Sequence, residues 1–511
     1  MKKVKKIILI TFFGVLFFFF DCDAQLKTVK TANGLVSGIQ QNGVAIFKGI
    51  PFAEAPLGAL RWKATQPAKN WKGIRKCETF GASAMQSKPV PFMMWTEEFI
   101  SPPEPLSEDC LYLNIWTAVK SVKEKKPVIV WIHGGGFTGG AGSCAVYDGE
   151  AISKMGIVYV TINYRLGVFG FLAHPELSNE SGGKASGNYA FLDQIESLKW
   201  IKKNIAAFGG DASNITIAGQ SAGSFSINAL VASPLAKGLF HKAIAESGGF
   251  MKGRIIKSLN DAEKAGQGFV ATAKAAGIRE LRNKSAEELQ EIAGKMPFGS
   301  FSPVLDNYVL PPDILTYFQQ GRHNDVPLLT GWVSGDAALM NGPPLSAEKY
   351  ILQTKQQYGD KAQDFLKVFP AGSDEEAKIS QEKISLVQFA GLQSHLWAIN
   401  NKSASYLYQF SFVPTDKPNF PNYGAFHTSE VPFAFHTLKL WNRPWQERDY
   451  EMEKIMSSYW VNFAKTGNPN ENGLPEWQPY DKTTGIIMEL GEKVETKQGL
   501  FKKEFDLMER F

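Results

Sequence analysis

Short, almost wholly apolar runs alternate with longer stretches in which apolar residues return every three or four positions. Residues 128–132 (Val-Ile-Val-Trp-Ile) and 157–162 form such runs, as expected of strands buried on both faces. The runs at 215–218, 243–246, 326–331 and 406–412 predict four further strands. Between them, residues 188–205 carry Leu192, Ile195, Leu198, Ile201 and Ile205 at helical spacing with charges in the gaps. Residues 224–231 and 450–464 also suit helices. Alternating strands and helices predict an α/β protein with a mostly parallel sheet covered on both faces. Residues 26–120 are richer in Gly, Pro and Trp, and their β-like runs at 44–47 and 111–116 predict antiparallel strands at one edge. Residues 255–300 and 344–402 turn charged and helical, as insertions over the sheet. Neither a repeat nor a low-complexity linker divides residues 25–511, which are expected to form one domain.

The first 24 residues are of another kind. Lys2, Lys3, Lys5 and Lys6 precede an apolar run from 7 to 20, and Cys22 and Ala24 are small residues before Gln25. This predicts a signal peptide cleaved after Ala24 and a secreted or periplasmic product. Fourteen apolar residues are few for a membrane span, so no stable anchor is expected. The segment also explains part of the formal charge of +5; without it 51 basic and 48 acidic residues remain. No basic cluster suggests nucleic acid as a partner. With 44% hydrophobic residues the chain can bury a large core. Three cysteines remain after cleavage (Cys77, Cys110 and Cys144), enough for one disulfide, whose pairing spacing does not reveal. The seven histidines show no metal-ligand spacing, so neither metal nor cofactor is expected.

The most specific local signal is Gly219-Gln220-Ser221-Ala222-Gly223, between the strand at 215–218 and the helix at 224–231. Ser221 is the one serine with glycine both two residues before and two after it. A serine on a sharp strand-to-helix turn has its hydroxyl exposed, and the glycines allow the two elements to close on each other. A second strand end, after residue 132, runs directly into His133-Gly134-Gly135-Gly136. Consecutive glycines leave backbone N–H groups uncovered. Gly135 and Gly136, with the N–H of Ala222, can surround a developing oxyanion. The cluster Gly139-Gly140-Ala141-Gly142 reads as a flexible surface turn, and no phosphate-loop ending follows.

A nucleophilic serine needs a base, and the base an orienting carboxylate, in the order serine, acid, histidine along this kind of sheet. His241 and His323 leave little room for an acid before them, and His395 sits in a helical stretch. His427 lies in a loop after the strand at 406–412, with His436 as its rival. Asp336 follows the strand at 326–331, with Asp306 and Asp325 as competitors. The proline-rich segment 89–105, carrying Phe92, Trp95 and Phe99, is either the mouth of the site or an ordered surface loop.

Further motifs resemble the type-B carboxylesterase family, which includes cholinesterases and bile-salt-activated lipases. They are Phe47-Lys48-Gly49-Ile50-Pro51-Phe52-Ala53 with Leu60-Arg61-Trp62, Ser107-Glu108-Asp109-Cys110-Leu111-Tyr112-Leu113-Asn114-Ile115-Trp116, Asn163-Tyr164-Arg165-Leu166-Gly167, and the stretch from Gly187-Asn188 to Gly210-Asp211. The resemblance spans nearly the whole mature chain. It implies an α/β-hydrolase fold and a serine carboxylesterase acting on small-molecule esters. Ser221 is then the nucleophile, His427 the base and Asp336 the acid, with Gly135, Gly136 and Ala222 as oxyanion donors and Ser247 supporting the acid. It implies a Cys77–Cys110 disulfide. Two departures stand out: Asp336 occupies a position where relatives usually have Glu, and Gln220 one where Glu is common. Phe92, Trp95, Trp332, Trp441 and Trp445, if near the mouth, suit aryl or bulky esters such as feruloyl groups on plant polysaccharide; the alternative is that they are core. Two other classes compete, a non-catalytic binding module on the same fold and a serine peptidase or amidase on a related sheet.

Overall fold

The computed structural model describes residues 26–511 apart from positions 185, 254, 255, 298, 340 and 341. The expected signal peptide lies outside the described residues. Eleven strands make one sheet: Ile39–Gln41 (β1), Val44–Pro51 (β2), Tyr112–Thr117 (β3), Lys126–Ile132 (β4), Val158–Ile162 (β5), Gly210–Gln220 (β6), Lys242–Glu246 (β7), Leu328–Val333 (β8), Ser405–Phe410 (β9), Ile487–Leu490 (β10) and Val494–Lys497 (β11). Their order across the sheet is β11-β10-β9-β8-β7-β6-β4-β5-β3-β2-β1. The neighbours from β5 through β10 pair in parallel. Both edges are antiparallel, with β1, β2 and β3 on one side and β11 on the other. The predicted layout is therefore present, with the antiparallel N-terminal strands at one edge.

Strand alternation sends side chains to two separate cores. In β4, Val128, Val130 and Ile132 join one core, while Ile129 and Trp131 join the other. The first core is covered by Tyr189–Asn204 (α1) through Ile195, Leu198 and Ile201, and by Ala222–Ala232 (α2) through Ile227 and Leu230. The second is covered by Glu447–Thr466 (α3) through Met456, Tyr459 and Trp460. Each such side chain moved out of water stabilises the fold by roughly 1.5–3 kcal/mol. Helix α3 is longer than the run at 450–464 predicts, because Asp449 Oδ2 accepts from the Gln446 N–H at 3.0 Å and Gly467, at φ 81°, ends it. The two charged stretches expected to be helical hold helices, among them Leu259–Thr272, Ala347–Tyr358 and Asp374–Leu386.

The disulfide implied by the resemblance is not formed: Cys77, Cys110 and Cys144 are all buried free thiols. Cys77 is pinned against β2, its N–H donating to the Ser37 carbonyl and its carbonyl accepting from Lys48. Cys110 lies near the buried Arg165–Asp193 ion pair. Burial pushes the Cys77 thiol up to about 11 and the Cys110 thiol well above its ordinary value, so both stay protonated and unreactive.

Candidate active site

β6 ends at Gln220 and α2 begins at Ala222, so Ser221 alone makes the turn, at φ 56° and ψ −124°. That conformation is strained for a residue with a side chain. It is held by the Ser221 N–H donating to the Glu246 carbonyl and by the Phe225 N–H donating to the Ser221 carbonyl, both at 2.9 Å. The flanking glycines are required by contact. A Cβ on Gly223 would stand 2.0 Å from the Ile132 carbonyl oxygen, and one on Gly219 would stand 2.6 Å from the Gly223 carbonyl carbon.

The loop after β4 passes beside the serine: a Cβ on Gly134 would lie 3.1 Å from that of Ser221. Among the described residues the N–H groups of Gly135 and Gly136 have no acceptor, and both glycines are exposed. The Ala222 N–H is free for a different reason, since it belongs to the first turn of a helix. His133 Nδ1 stands 2.8 Å from the Gly134 carbonyl, and its ring stacks on Tyr164 at 4.4 Å. Burial lowers the His133 imidazole to about 4, so it is neutral at ordinary pH. The cluster 139–142 is not the loose surface turn expected from its glycines. Ala141 and Gly142 are buried, Gly142 donates to Asn163 Oδ1 at 2.8 Å, and Gln86 Oε1 accepts from Gly140 at 2.9 Å. It buttresses the loop, with Gly139 donating to the Gly135 carbonyl.

His427 and Asp336 meet, and His427 lines the same cleft as Ser221, with no hydrogen bond between the imidazole and Ser221 Oγ among the described residues. His427 Nδ1 lies 2.6 Å from Asp336 Oδ1, and both side chains are buried. Asp336 Oδ2 accepts from the Val333 N–H at 3.0 Å, so the carboxylate is aimed by the end of β8 itself. Gly335 then docks onto the histidine loop, donating to the Ala425 carbonyl at 2.9 Å; a Cβ there would lie 2.3 Å from that oxygen. This contact draws the two loops together. The competitors lie in other structures. His436 faces Ser457 and Glu453 of α3, His395 pairs with Tyr480 and Glu509, and His323 stacks on Phe318. Asp306 caps the backbone of residues 308–310, and Asp325 that of Lys402 and Ser403.

Around this pair lies a buried polar pocket that sequence reasoning missed. Gln220 Nε2 is 3.1 Å from His427 Nε2, while the Gln220 Oε1 has no partner. Glu246 accepts from the Trp460 indole at 2.7 Å, and burial raises its carboxyl to about 8. Glu430, three residues after the histidine, is raised well above the carboxylate range by burial and then by Glu246 and Asp336. Ser247 does not bond Asp336 among the described residues; it lies by Glu430 instead, because its strained backbone (φ 58°) is held by the Gly331 carbonyl. The His-x-x-Glu spacing was visible in the sequence, but the position of its partners was not.

Ser221 and His427 open onto a cleft of about 1070 Å³, lined mainly by apolar groups that include Phe92, Trp95, Phe301 and Phe389. The 89–105 segment does form part of the mouth: the Trp95 indole donates to Thr428 Oγ1 at 2.6 Å, and its ring meets His427 edge-on at 6.5 Å. Phe389 touches the same imidazole at 5.6 Å from a π-helical turn, Val387–Gly391. Trp332 and Trp441 are instead buried core residues, and Trp445 packs on Trp441 at 4.9 Å, so these three do not line the cleft. Among the described residues no group of three or more His, Cys, Asp or Glu is placed to hold a metal ion.

Comparison with known proteins agrees with this fold. A family model described as the carboxylesterase family matches residues 25–508. The chain is 33% identical to fumonisin B1 esterase of Sphingopyxis macrogoltabida, over 92% of this chain and 87% of that protein. It is 34% identical to para-nitrobenzyl esterase of Bacillus subtilis, over 90% and 93% of the two. Among solved structures, a PNB esterase superposes with a TM-score of 0.81 at 30% identity, covering 94% of this chain and 99% of that one. A Geobacillus stearothermophilus carboxylesterase gives 0.79 at 32% identity with the same coverage. The sheet is thus that of the α/β-hydrolase fold, and the chain belongs to the carboxylesterase family.

Proposed function

We propose that this protein is a serine carboxylesterase in which Ser221 is the nucleophile, His427 the general base and Asp336 the residue that orients it. The observation that carries the reading is the convergence of three strand ends: a strained serine after β6, acceptor-free glycine N–H groups after β4, and a carboxylate-held imidazole built from the loops after β8 and β9. Ser221 Oγ attacks the ester carbonyl as its proton passes to His427 Nε2. The N–H groups of Gly135, Gly136 and Ala222 hold the oxyanion. His427 then returns that proton to the departing alkoxide, leaving an acyl-enzyme. Water repeats the sequence: it gives a proton to His427, attacks the acyl carbonyl, and the acid leaves as Ser221 regains its hydrogen.

Apolar cleft walls favour esters with a bulky apolar or aryl part. Of two relatives, one is named para-nitrobenzyl esterase, an aryl-bearing ester by its name, and the other fumonisin B1 esterase. Feruloyl esters fall within this class. The lysine-rich start and apolar run support export, and among the described residues no helix is long and apolar enough to cross a membrane. Trapping with an aryl phosphonate followed by peptide mass mapping tests the assignment: the adduct is expected on Ser221. Turnover of a phenyl ester much faster than its matched anilide separates an esterase from an amidase. Absence of both turnover and adduct would instead leave a binding module.

A further inference from the structure

The Gly135 and Gly136 N–H groups sit on a loop whose glycines have no side chains to hold it. Each N–H is aimed by the carbonyl of its own peptide, because in a trans peptide the two point in opposite directions. The Gly136 N–H shares its peptide with the Gly135 carbonyl. That carbonyl accepts from the Thr138 and Gly139 N–H groups, both at 3.0 Å. Tied back in this way, it turns the Gly136 N–H away from the 138–139 turn, and Gly136 is exposed in the cleft. The Gly135 N–H shares its peptide with the Gly134 carbonyl. Gly140 packs on that group: a Cβ there would stand 2.8 Å from the Gly134 oxygen and 2.6 Å from His133 Nδ1. The aim of both donors therefore depends on where Gly139 and Gly140 are kept.

Gln86 keeps them in place. Its Oε1 accepts from the Gly140 N–H at 2.9 Å, and its Nε2 donates to the Gly140 carbonyl at 3.0 Å. The amide orientation follows from this pair, since the reverse would set oxygen against oxygen and N–H against N–H. Nε2 also donates to the Ala84 carbonyl at 3.0 Å, and Oε1 accepts from Ser101 Oγ at 3.4 Å. The side chain is buried with both its polar atoms engaged, a closed network that specifies one geometry. Its root is fixed as well. Ser83–Ala84 pairs with Leu106–Ser107, and Ala84 and Met85 are buried. A carboxamide rooted in the N-terminal part of the chain thus grips both polar backbone groups of one residue in the glycine loop.

We propose that Gln86 is the positioning residue of the oxyanion hole: it holds Gly140 so that Gly139 ties back the Gly135 carbonyl and the Gly136 N–H meets the developing alkoxide. This rests on the assignment of Ser221 as nucleophile and of the loop N–H groups as oxyanion donors. Gln86 acts through the loop, so its contribution grows as negative charge gathers on the carbonyl oxygen and falls on kcat more than on KM.

The test uses the full chain carrying Gln86→Met or Gly139→Ala. Methionine keeps the volume and loses both bonds to Gly140. The alanine Cβ would stand 3.3 Å from Gln86 Oε1 and presses the loop off an intact amide, so it carries the test if Gln86→Met does not fold. Steady-state kinetics on phenyl acetate are read beside inhibition by an aryl trifluoromethyl ketone. In that adduct Ser221 Oγ bonds the carbonyl carbon, the hydroxyl proton passes to His427, and the carbonyl oxygen becomes an alkoxide in the hole. Gln86→Met is expected to lower kcat and weaken the ketone's Ki by about 10–30-fold each, with KM within about threefold. The loss is smaller than the roughly 10²–10³-fold of a deleted donor, because the N–H groups are misaimed and not removed. Gly139→Ala is expected to cost about 3–10-fold in both quantities. Ki and kcat per active chain within about twofold of the parent in the folded variants would overturn the proposal, even with a lowered melting temperature, since that is the result of a merely structural contact. Failure of the underlying assignment has a different signature, parent turnover that survives Ser221→Ala.

Discussion

His427 Nδ1 and Asp336 Oδ1 stand 2.6 Å apart and sealed from solvent, although 91 positions separate them in the chain. The contact fixes which ring nitrogen holds the hydrogen and so which is left to accept one. Two loops build it, and they touch through Gly335 and the Ala425 carbonyl. Removing the charge should break the tautomer without breaking the fold. Asp336→Asn is expected to lower kcat on p-nitrophenyl acetate by roughly 10³–10⁴-fold with KM nearly unchanged. Steady-state kinetics on protein with a parental melting temperature check this; a loss below threefold would move the orienting role elsewhere.

Gly335→Ala probes the same contact from the backbone. The new Cβ would meet the Ala425 oxygen at 2.3 Å, so the acid turn must back away from the histidine loop. A kcat loss of about 10–100-fold is expected, because a misplacement near 1 Å is felt at that scale. Stability should fall by roughly 1–3 kcal/mol in denaturant unfolding.

The cleft wall sets selectivity. Phe92 is exposed at the mouth, and Trp95 reaches from there to Thr428. Phe92→Ala and Trp95→Ala should raise KM for naphthyl or feruloyl esters by roughly 5–30-fold, the contribution of one aromatic contact of 1–2 kcal/mol. Hydrolysis of ethyl acetate should change little. Equal loss on both substrates would show that the two residues support the site rather than the substrate.

Glu246 links the site to pH. Its carboxyl is raised to about 8 from 4.5, so the folded chain binds the proton more tightly than the unfolded chain does. Its contribution is complete below the ordinary carboxyl pKa and is lost as pH rises toward 8. Glu430 is displaced in the same direction. Glu246→Gln keeps an oxygen for the Trp460 indole and removes the titration. Melting curves at pH 5.5 and 8.5 should differ less in the variant than in the parent. At pH 8.5 the variant should be more stable by roughly 1–3 kcal/mol. A variant less stable at pH 8.5 would contradict the assignment.

Much of this was legible because local chemistry and sheet geometry coincide. Val128–Ile132 is apolar at every position because both faces of β4 are buried, and the glycines around Ser221 are there because a Cβ would strike Ile132. Position after β9 leaves both His427 and His436 open, and only the resemblance points to His427. The edge hairpin of β10 and β11 was missed since four-residue strands carry too little pattern. Composition leaves Trp332 and Trp441 open between mouth and core, because burial is decided by which way a strand or loop turns; both are core. Gln220 reads as a lost charge; its place against the His427 ring is a distance, and distances between residues 207 positions apart are not written in either neighbourhood.

The acyl-enzyme is the centre of the proposal, and stopped-flow hydrolysis of p-nitrophenyl acetate observes it directly. The parent protein should release a burst of nitrophenolate close to one equivalent per chain and then settle to a slower steady rate. Ser221→Ala should show neither burst nor turnover above roughly one thousandth of the parental rate. A burst of equal size in Ser221→Ala, or a folded parent without turnover, would contradict Ser221 as the nucleophile.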